Sequence, residues 1–124
     1  MDELAIELES TEDAATIARE EIRARLTDRL PAPTLQDLLT VTTELVTNGV
    51  RYGQGDKVWV RLRLAADGAI AGEVENPGRG VVAPREIEFD SGGGLGLHIV
   101  AAIVDRWHVL DGETTRVRFE LGPI

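Results

Sequence analysis

The 124-residue sequence contains no cysteine, which excludes a disulfide framework, a cysteine-based zinc site and thiol catalysis. Histidine is nearly missing as well. His98 and His108 are the only two, a poor basis for a His-rich metal centre. The longest unbroken apolar run, Ile99 to Val104, falls far short of the roughly 20 residues a membrane span needs, and the acidic start MDELAIELES does not read as a signal peptide. Basic residues are in deficit, with 13 Lys plus Arg against 22 Asp plus Glu for a net charge of −9. Such a field repels polyanions, so neither nucleic acid nor a membrane is an expected partner. The absence of Gly-Lys-Ser/Thr excludes a P-loop. No repeat or low-complexity tract is visible, and the one Pro-rich break, Pro31-Ala32-Pro33, is too short for an interdomain linker. With 43% apolar residues the chain can fill one ordinary core, so a single cytoplasmic domain over 1–124 is expected.

Hydropathy periods give the expected elements. Leu4, Ile6 and Leu8 alternate with polar or small neighbours, as in a strand with one buried face. Ser10 to Asp13 reads as a helix start, after which Ala15, Ala18, Ile22 and Leu26 recur at helical spacing. Thr34 is placed to cap a second helix from Leu35 to about Arg51, whose buried arc would be Leu38, Val41, Leu45, Val46 and Val50. Two alternating strands follow, Val58 to Leu64 and Ile70 to Val74. Matching their faces requires a three-residue loop, Ala66-Asp67-Gly68, with Gly68 at positive φ, pairing Leu64 with Ile70 and Arg61 with Glu73. Leu95, Ile99, Val100, Ile103, Val104 and Trp107 predict a strongly apolar third helix, and strands at about 108–111 and 115–121 close the chain. The expected fold is an α+β two-layer sandwich, with three helices on one sheet face and Arg61, Arg63, Glu73, Glu75, Arg116, Arg118 and Glu120 on the wet face. Trp59, also on that wet face, has the composition of a protein-contact anchor.

Three features could carry chemistry. Glu44 and Asn48, four residues apart on one helix face, present two oxygen acceptors suited to a Mg²⁺ and a water beside a phosphate. They also suit an ordinary exposed glutamate and a polar helix-end asparagine. Asn76-Pro77-Gly78-Arg79-Gly80 follows a strand whose parity turns Asn76 inward, so it could hydrogen-bond a flat base or simply form a turn. Gly92-Gly93-Gly94-Leu95-Gly96-Leu97 opens the apolar helix, where exposed backbone N–H groups and the helix dipole favour an anion, though a hinge or plain loop has the same composition. A Rossmann reading of these glycines fails. The preceding segment Glu86-Ile87-Glu88-Phe89 is too short and charged, and too little chain follows Asp111.

In that order, with Gly112 and Thr115 before the last strand, the pattern resembles the GHKL ATPases, the group of gyrase, heat-shock chaperone, histidine kinase and mismatch-repair ATPase domains. The run Thr43-Glu44-Leu45-Val46-Thr47-Asn48-Gly49-Val50-Arg51-Tyr52-Gly53 and the later Asp105-Arg106-Trp107 are more closely similar to the small bacterial anti-sigma regulatory kinases. The resemblance covers nearly the whole chain. It implies a mixed, mostly antiparallel sheet and binding of ATP with Mg²⁺. It makes Glu44 the catalytic base or water-orienting carboxylate and Asn48 the Mg²⁺ ligand. Asn76 would contact adenine in a pocket shaped by Gly78 and Gly80, supported by Thr115, and Gly92, Gly94, Leu95 and Gly96 would meet the phosphates. Members of this group bind a sigma factor and phosphorylate a serine or threonine of a small anti-sigma-factor antagonist, and many form homodimers. The implied activity is therefore that of a serine/threonine protein kinase, and the alternative is a non-catalytic interaction module that kept the fold. The sequence departs from the family pattern at three places. Asn76 stands where Asp is usual, Gly49 where Ala is usual, and only eleven residues separate Gly80 from Gly92.

Overall fold

The computed structural model describes residues 2–78 and 93–123. Strand β1 (Asp2–Glu9) buries Leu4, Ile6 and Leu8 and turns their neighbours outward. Helix α1 (Ala14–Leu26) buries Ala14, Ala18, Ile22 and Leu26, one residue per turn on one stripe; Ala15, expected on that stripe, is half-buried and Ala14 takes its place. Helix α2 (Ala32–Tyr52) starts before Thr34, the expected cap. The Leu35 amide already donates to Pro31 O at 2.9 Å, and Pro33 is accommodated in the first turn, where its missing N–H has no intrahelical partner to lose. The rest of α2 is strongly one-sided, with Leu38, Leu39, Val41, Thr42, Leu45, Val46, Asn48 and Gly49 buried; Val50, expected on that arc, is only half-buried.

Strands β2 (Lys57–Leu64) and β3 (Ile70–Pro77) form the expected hairpin, with Leu64 opposite Ile70 and Arg61 opposite Glu73. Ala65 N donates to Ala69 O, Gly68 lies at φ 93°, and the Asp67 carboxylate accepts from Ala69 N. That geometry admits glycine with no steric cost. Helix α3 (Gly93–Ile103) is shorter than expected, because Trp107 belongs to strand β4 (Arg106–Asp111). Val104 and Trp107 keep helical spacing, but the Asp105 amide bonds Glu120 O and the chain turns into a pairing of Arg106 with Glu120 and Trp107 with Phe119. Strand β5 (Thr114–Leu121) buries Thr115, Val117, Phe119 and Leu121.

The five strands run in the order β1-β2-β3-β5-β4, and all four pairings are antiparallel. Helix α2 packs between α1 and α3 and against β2 and β3. Gly72 is required inside this layer, since a Cβ there would run into the ring of the fully buried Phe119. The outer sheet face is an ion-pair lattice. Glu73 bridges Arg61 and Arg118, each at 2.8 Å, Glu75 pairs with Arg61 at 2.9 Å, and Lys57 reaches both Glu7 and Glu9. Trp59 lies half-buried on this face with its indole N–H on Glu7 Oε1. Among the described residues, no helix is long and apolar enough to cross a membrane.

Candidate nucleotide site

The core buries very few polar side chains. Among the described residues they are Thr42, Asn48, Asn76 and Thr115, and three of the four converge at one end of the sandwich. Asn76 and Thr115 are direct cross-strand partners at the ends of β3 and β5, both turned inward. The C-terminal turns of α2 close over them. A Cβ built at Gly49 would lie 3.5 Å from Asn76 Oδ1 and 3.5 Å from Val58, whereas one at Gly53 would sit 3.0 Å from Asn76 Nδ2 and 2.5 Å from Gly49 O. Glycine at 53 thus lets the Asn76 amide rest against the helix end, where the Gly53 amide donates to Gly49 O. Gly55 does the same for Pro77, whose ring would collide with a side chain there.

The turn after β3 is held from several sides. Thr115 Oγ1 donates to Gly78 O at 2.9 Å, Gly78 N donates to Glu113 O, and Gln54 N donates to Pro77 O. Gly78 itself takes φ 84°, and a Cβ would meet the Gln54 side chain, so the tight turn and the close approach both call for glycine. Asn76 Nδ2 donates to Pro77 O at 3.1 Å. Its Oδ1 has no donor among the described residues. On the helix, Asn48 is 6% exposed, and its Nδ2 is buried without a partner. A buried polar atom left unpaired costs on the order of 1–3 kcal/mol, so its presence calls for an explanation.

Glu44 lies one turn before Asn48, half-buried, and lines an open groove of about 220 Å³ with Arg19, Gln36, Leu39, Thr40 and Thr43. Its carboxylate makes no hydrogen bond or ion pair among the described residues. Gly94, Leu95 and Gly96 fall in the first turn of α3, whose leading amides have no intrahelical acceptors, and α3 packs on α2. Gly80 and Gly92 lie outside the described residues. The structure thus brings together Asn48, Asn76, Gly78 and Thr115. To these it adds Gly49, Gly53, Pro77 and Gln54, which the motif reading did not single out as site residues. Gly53 and Gly55 after a helix end were a usable signal, but which strand end they would admit is a tertiary fact.

The model of the histidine kinase-, DNA gyrase B- and HSP90-like ATPases matches residues 34–122, most of the chain and all of the elements just described from α2 onward. The chain belongs to this ATPase family. Its fold recurs in part of the structure of the RsbU and RsbW domains of Rv1364c from Mycobacterium tuberculosis, at TM-score 0.77 and 22% identity, covering 98% of this chain and 32% of that one. A histidine kinase domain from the blue-light-activated histidine kinase of Erythrobacter litoralis superposes at TM-score 0.62 and 18% identity, covering 88% of this chain and 59% of that one. The chain therefore spans about a third of the first and about three fifths of the second. No curated protein matches it in sequence. Within the ATPase domain, two of the departures from the family pattern, Gly49 and Asn76, are neighbours in space.

Proposed function

We propose that this ATPase-family domain binds Mg²⁺-ATP at the α2/β3/β5 end and acts as an anti-sigma-type regulator. In that role it transfers the γ-phosphate to a serine or threonine hydroxyl of a small antagonist protein and captures a sigma factor as its second partner. The observation that carries the reading is the convergence of Asn48, Asn76 and Thr115, buried polar side chains in a mostly apolar core, with Asn48 Nδ2 left unpaired among the described residues. The likeness to a chain with an RsbW domain favours the anti-sigma branch of the family.

The residues fit the groups they would hold. Asn48 and Glu44 offer hard oxygen donors on one helix face, and among the described residues no cluster of three or more His, Cys, Asp or Glu could hold a metal alone. A Mg²⁺ held by one or two protein oxygens and completed by phosphates and water suits such a set. When bound, the cation supplies charge neutralisation to the phosphates. Asn76 Oδ1 is a free acceptor for the base, and Thr115 braces the turn beneath it through Gly78 O. The first-turn amides of α3, with Gly94, Leu95 and Gly96, are the phosphate donors; the family resemblance adds Gly92 to the phosphate contacts and Gly80 to the base pocket. Glu44, not committed to an ion pair, takes the hydroxyl proton at its carboxylate.

The homodimer contact in this reading is the outer sheet face. It carries six cations (Lys57, Arg61, Arg63, Arg106, Arg116, Arg118) and six carboxylates (Glu3, Glu7, Glu9, Glu73, Glu75, Glu120). The net charge of −9 therefore resides on the rest of the chain, and this face meets its own copy without net repulsion. The cytoplasm is the compartment proposed for this chemistry.

The uncharged Asn76 favours a second reading, an interaction module that no longer turns over ATP. Transfer of labelled γ-phosphate to a cognate antagonist separates the two. Glu44→Gln should keep nucleotide binding and lose transfer by about 10² to 10⁴-fold. Equal transfer by wild type and variant would remove Glu44 from the chemistry, and partner capture indifferent to ATP would favour the module.

A further inference from the structure

Asn76 is buried to 3% exposure, and its amide is hemmed in at both ends. On one side Nδ2 donates to Pro77 O at 3.1 Å and faces Gly53; on the other, Oδ1 faces Gly49 and has no donor among the described residues. An asparagine amide is chemically ambivalent, because its oxygen accepts and its nitrogen donates, and a half-turn about χ2 exchanges them. A carboxylate at the same place could only accept. Asn76 would therefore be expected to blur the distinction between a purine with an amino group at position 6, which donates there, and one with a carbonyl, which accepts. The Pro77 carbonyl removes the ambivalence. Exchanging the two amide ends would break the Nδ2 bond and set Oδ1 against Pro77 O, two acceptors at hydrogen-bonding distance in a buried place. Pro77 O is itself fixed, since it also accepts from Gln54 N at 3.2 Å, and the turn beyond it is bolted through Gly78 to Thr115 and Glu113.

We infer that the backbone carbonyl of Pro77 locks the Asn76 amide with its oxygen forward, making the site selective for 6-aminopurine over 6-oxopurine nucleotides without a charged residue. This inference rests on the nucleotide site proposed above. It makes Pro77 a specificity-determining position through its main chain, and it explains how the departure from Asp is compatible with recognition of adenine. Gly49 contributes by leaving the space beside Oδ1 without a methyl group.

The test is calorimetric titration of the full chain with ATP and with inosine triphosphate, both with Mg²⁺. The two nucleotides differ at position 6 and in the protonation of the adjacent ring nitrogen. ATP should bind at least about tenfold more tightly, the equivalent of one lost hydrogen bond and one pair of opposed acceptors. Equal affinity, within about twofold, would overturn the lock while leaving the nucleotide site standing. Binding of neither nucleotide would overturn the proposed function and this inference with it. Asn76→Ala should bring the two affinities to within about twofold of each other, and unchanged discrimination in that variant would overturn the assignment to Asn76. Should the alanine variant fold poorly, Asn76→Asp serves in its place. A carboxylate accepts only, so it must retain the preference for ATP, and loss of that preference would count against the inference.

Discussion

The two faces of the sheet treat polar groups in opposite ways. On the outer face the carboxylates of the central strands are answered. Glu73 is shared by Arg61 and Arg118, and Glu75 takes Arg61 and the Thr114 hydroxyl, which donates at 2.6 Å. On the inner face, at the same end of β3 and β5, Asn48 Nδ2 and Asn76 Oδ1 are left without partners among the described residues. Glu75 and Asn76 are adjacent in the chain, so a single step along β3 passes from a satisfied lattice to an acceptor without a donor among the described residues. Polar groups that pair with each other hold a register; polar groups held apart from any partner keep their bonding capacity for something else. The outer lattice is thus the brace and the inner cluster the proposed site.

That division predicts separable mutants, and the largest effect belongs to the site. Asn48→Ala should weaken Mg²⁺-dependent ATP binding by about tenfold or more, roughly 1.4 kcal/mol. Folding stability should stay within about 1 kcal/mol of wild type, because the amide nitrogen it deletes has no partner to lose. Titration with ATP with and without Mg²⁺, beside urea unfolding, measures both. A large loss of stability with intact binding would make Asn48 a structural residue and dissolve the contrast.

The converse holds for the brace. Glu73→Ala removes two charge-assisted bonds, but Arg61 and Arg118 are each nearly half exposed, at 47% and 46%, so solvent screening limits the cost to about 1–2 kcal/mol. ATP affinity should change by less than about twofold. Urea midpoints that do not move would mean the lattice contributes nothing.

How much of this was readable from the sequence follows the same line. The hairpin register was legible because period-2 alternation and Gly68 leave one solution, and the inward turn of Asn76 and Thr115 followed from the same parity. Trp107 was misplaced because apolar residues at 99, 100, 103, 104 and 107 satisfy helical spacing. Only the pairing of Arg106 with Glu120 and the Asp105 amide bond to the same residue, contacts distant in sequence, decide for a strand. The start of α2 was placed late because Pro33 was read as a break when it is a first-turn residue. The candidate site residues were named by motif, but the unpaired Asn48 Nδ2, and the contacts of Gly49 and Gly53 with Asn76, required the packed structure.

Thr42 tests whether an orphaned buried atom always marks a site. It is fully buried on α2 with Oγ1 unpaired, while Thr40 and Thr43 bond the carbonyls four residues back. Its helical phase places it with Leu38, Leu45 and Val46, away from Asn48. Here the hydroxyl is a plain cost, so Thr42→Val should stabilise the fold by about 1 kcal/mol and leave ATP binding unchanged. Thermal or urea unfolding checks it, and destabilisation would show that the hydroxyl has a role.

The smallest effect is the pH response of the brace. Burial is the strongest single influence on the Glu75 carboxyl and pushes its pKa up, but the Thr114 hydroxyl and Arg61, with Arg116 nearby, together outweigh it and hold the value below the ordinary 4.5. Glu7, on the same face, is held low by Lys57 and Trp59. A carboxyl whose folded pKa is depressed stabilises the fold fully above its unfolded value, where it is ionised in both states. As pH falls below about 4.5 the unfolded chain takes up the proton first, and the contribution fades until the folded value is also passed. Stability should therefore decline on acidification through that window. Glu75→Gln, which cannot ionise, should show a shallower decline of its urea midpoint between pH 6 and pH 3 than wild type. The two curves should meet at the acid end, where neither chain carries a charge at position 75. Parallel curves would show that Glu75 is bound no more tightly as a carboxylate than as an amide, and the brace would then owe its strength to shape rather than to charge.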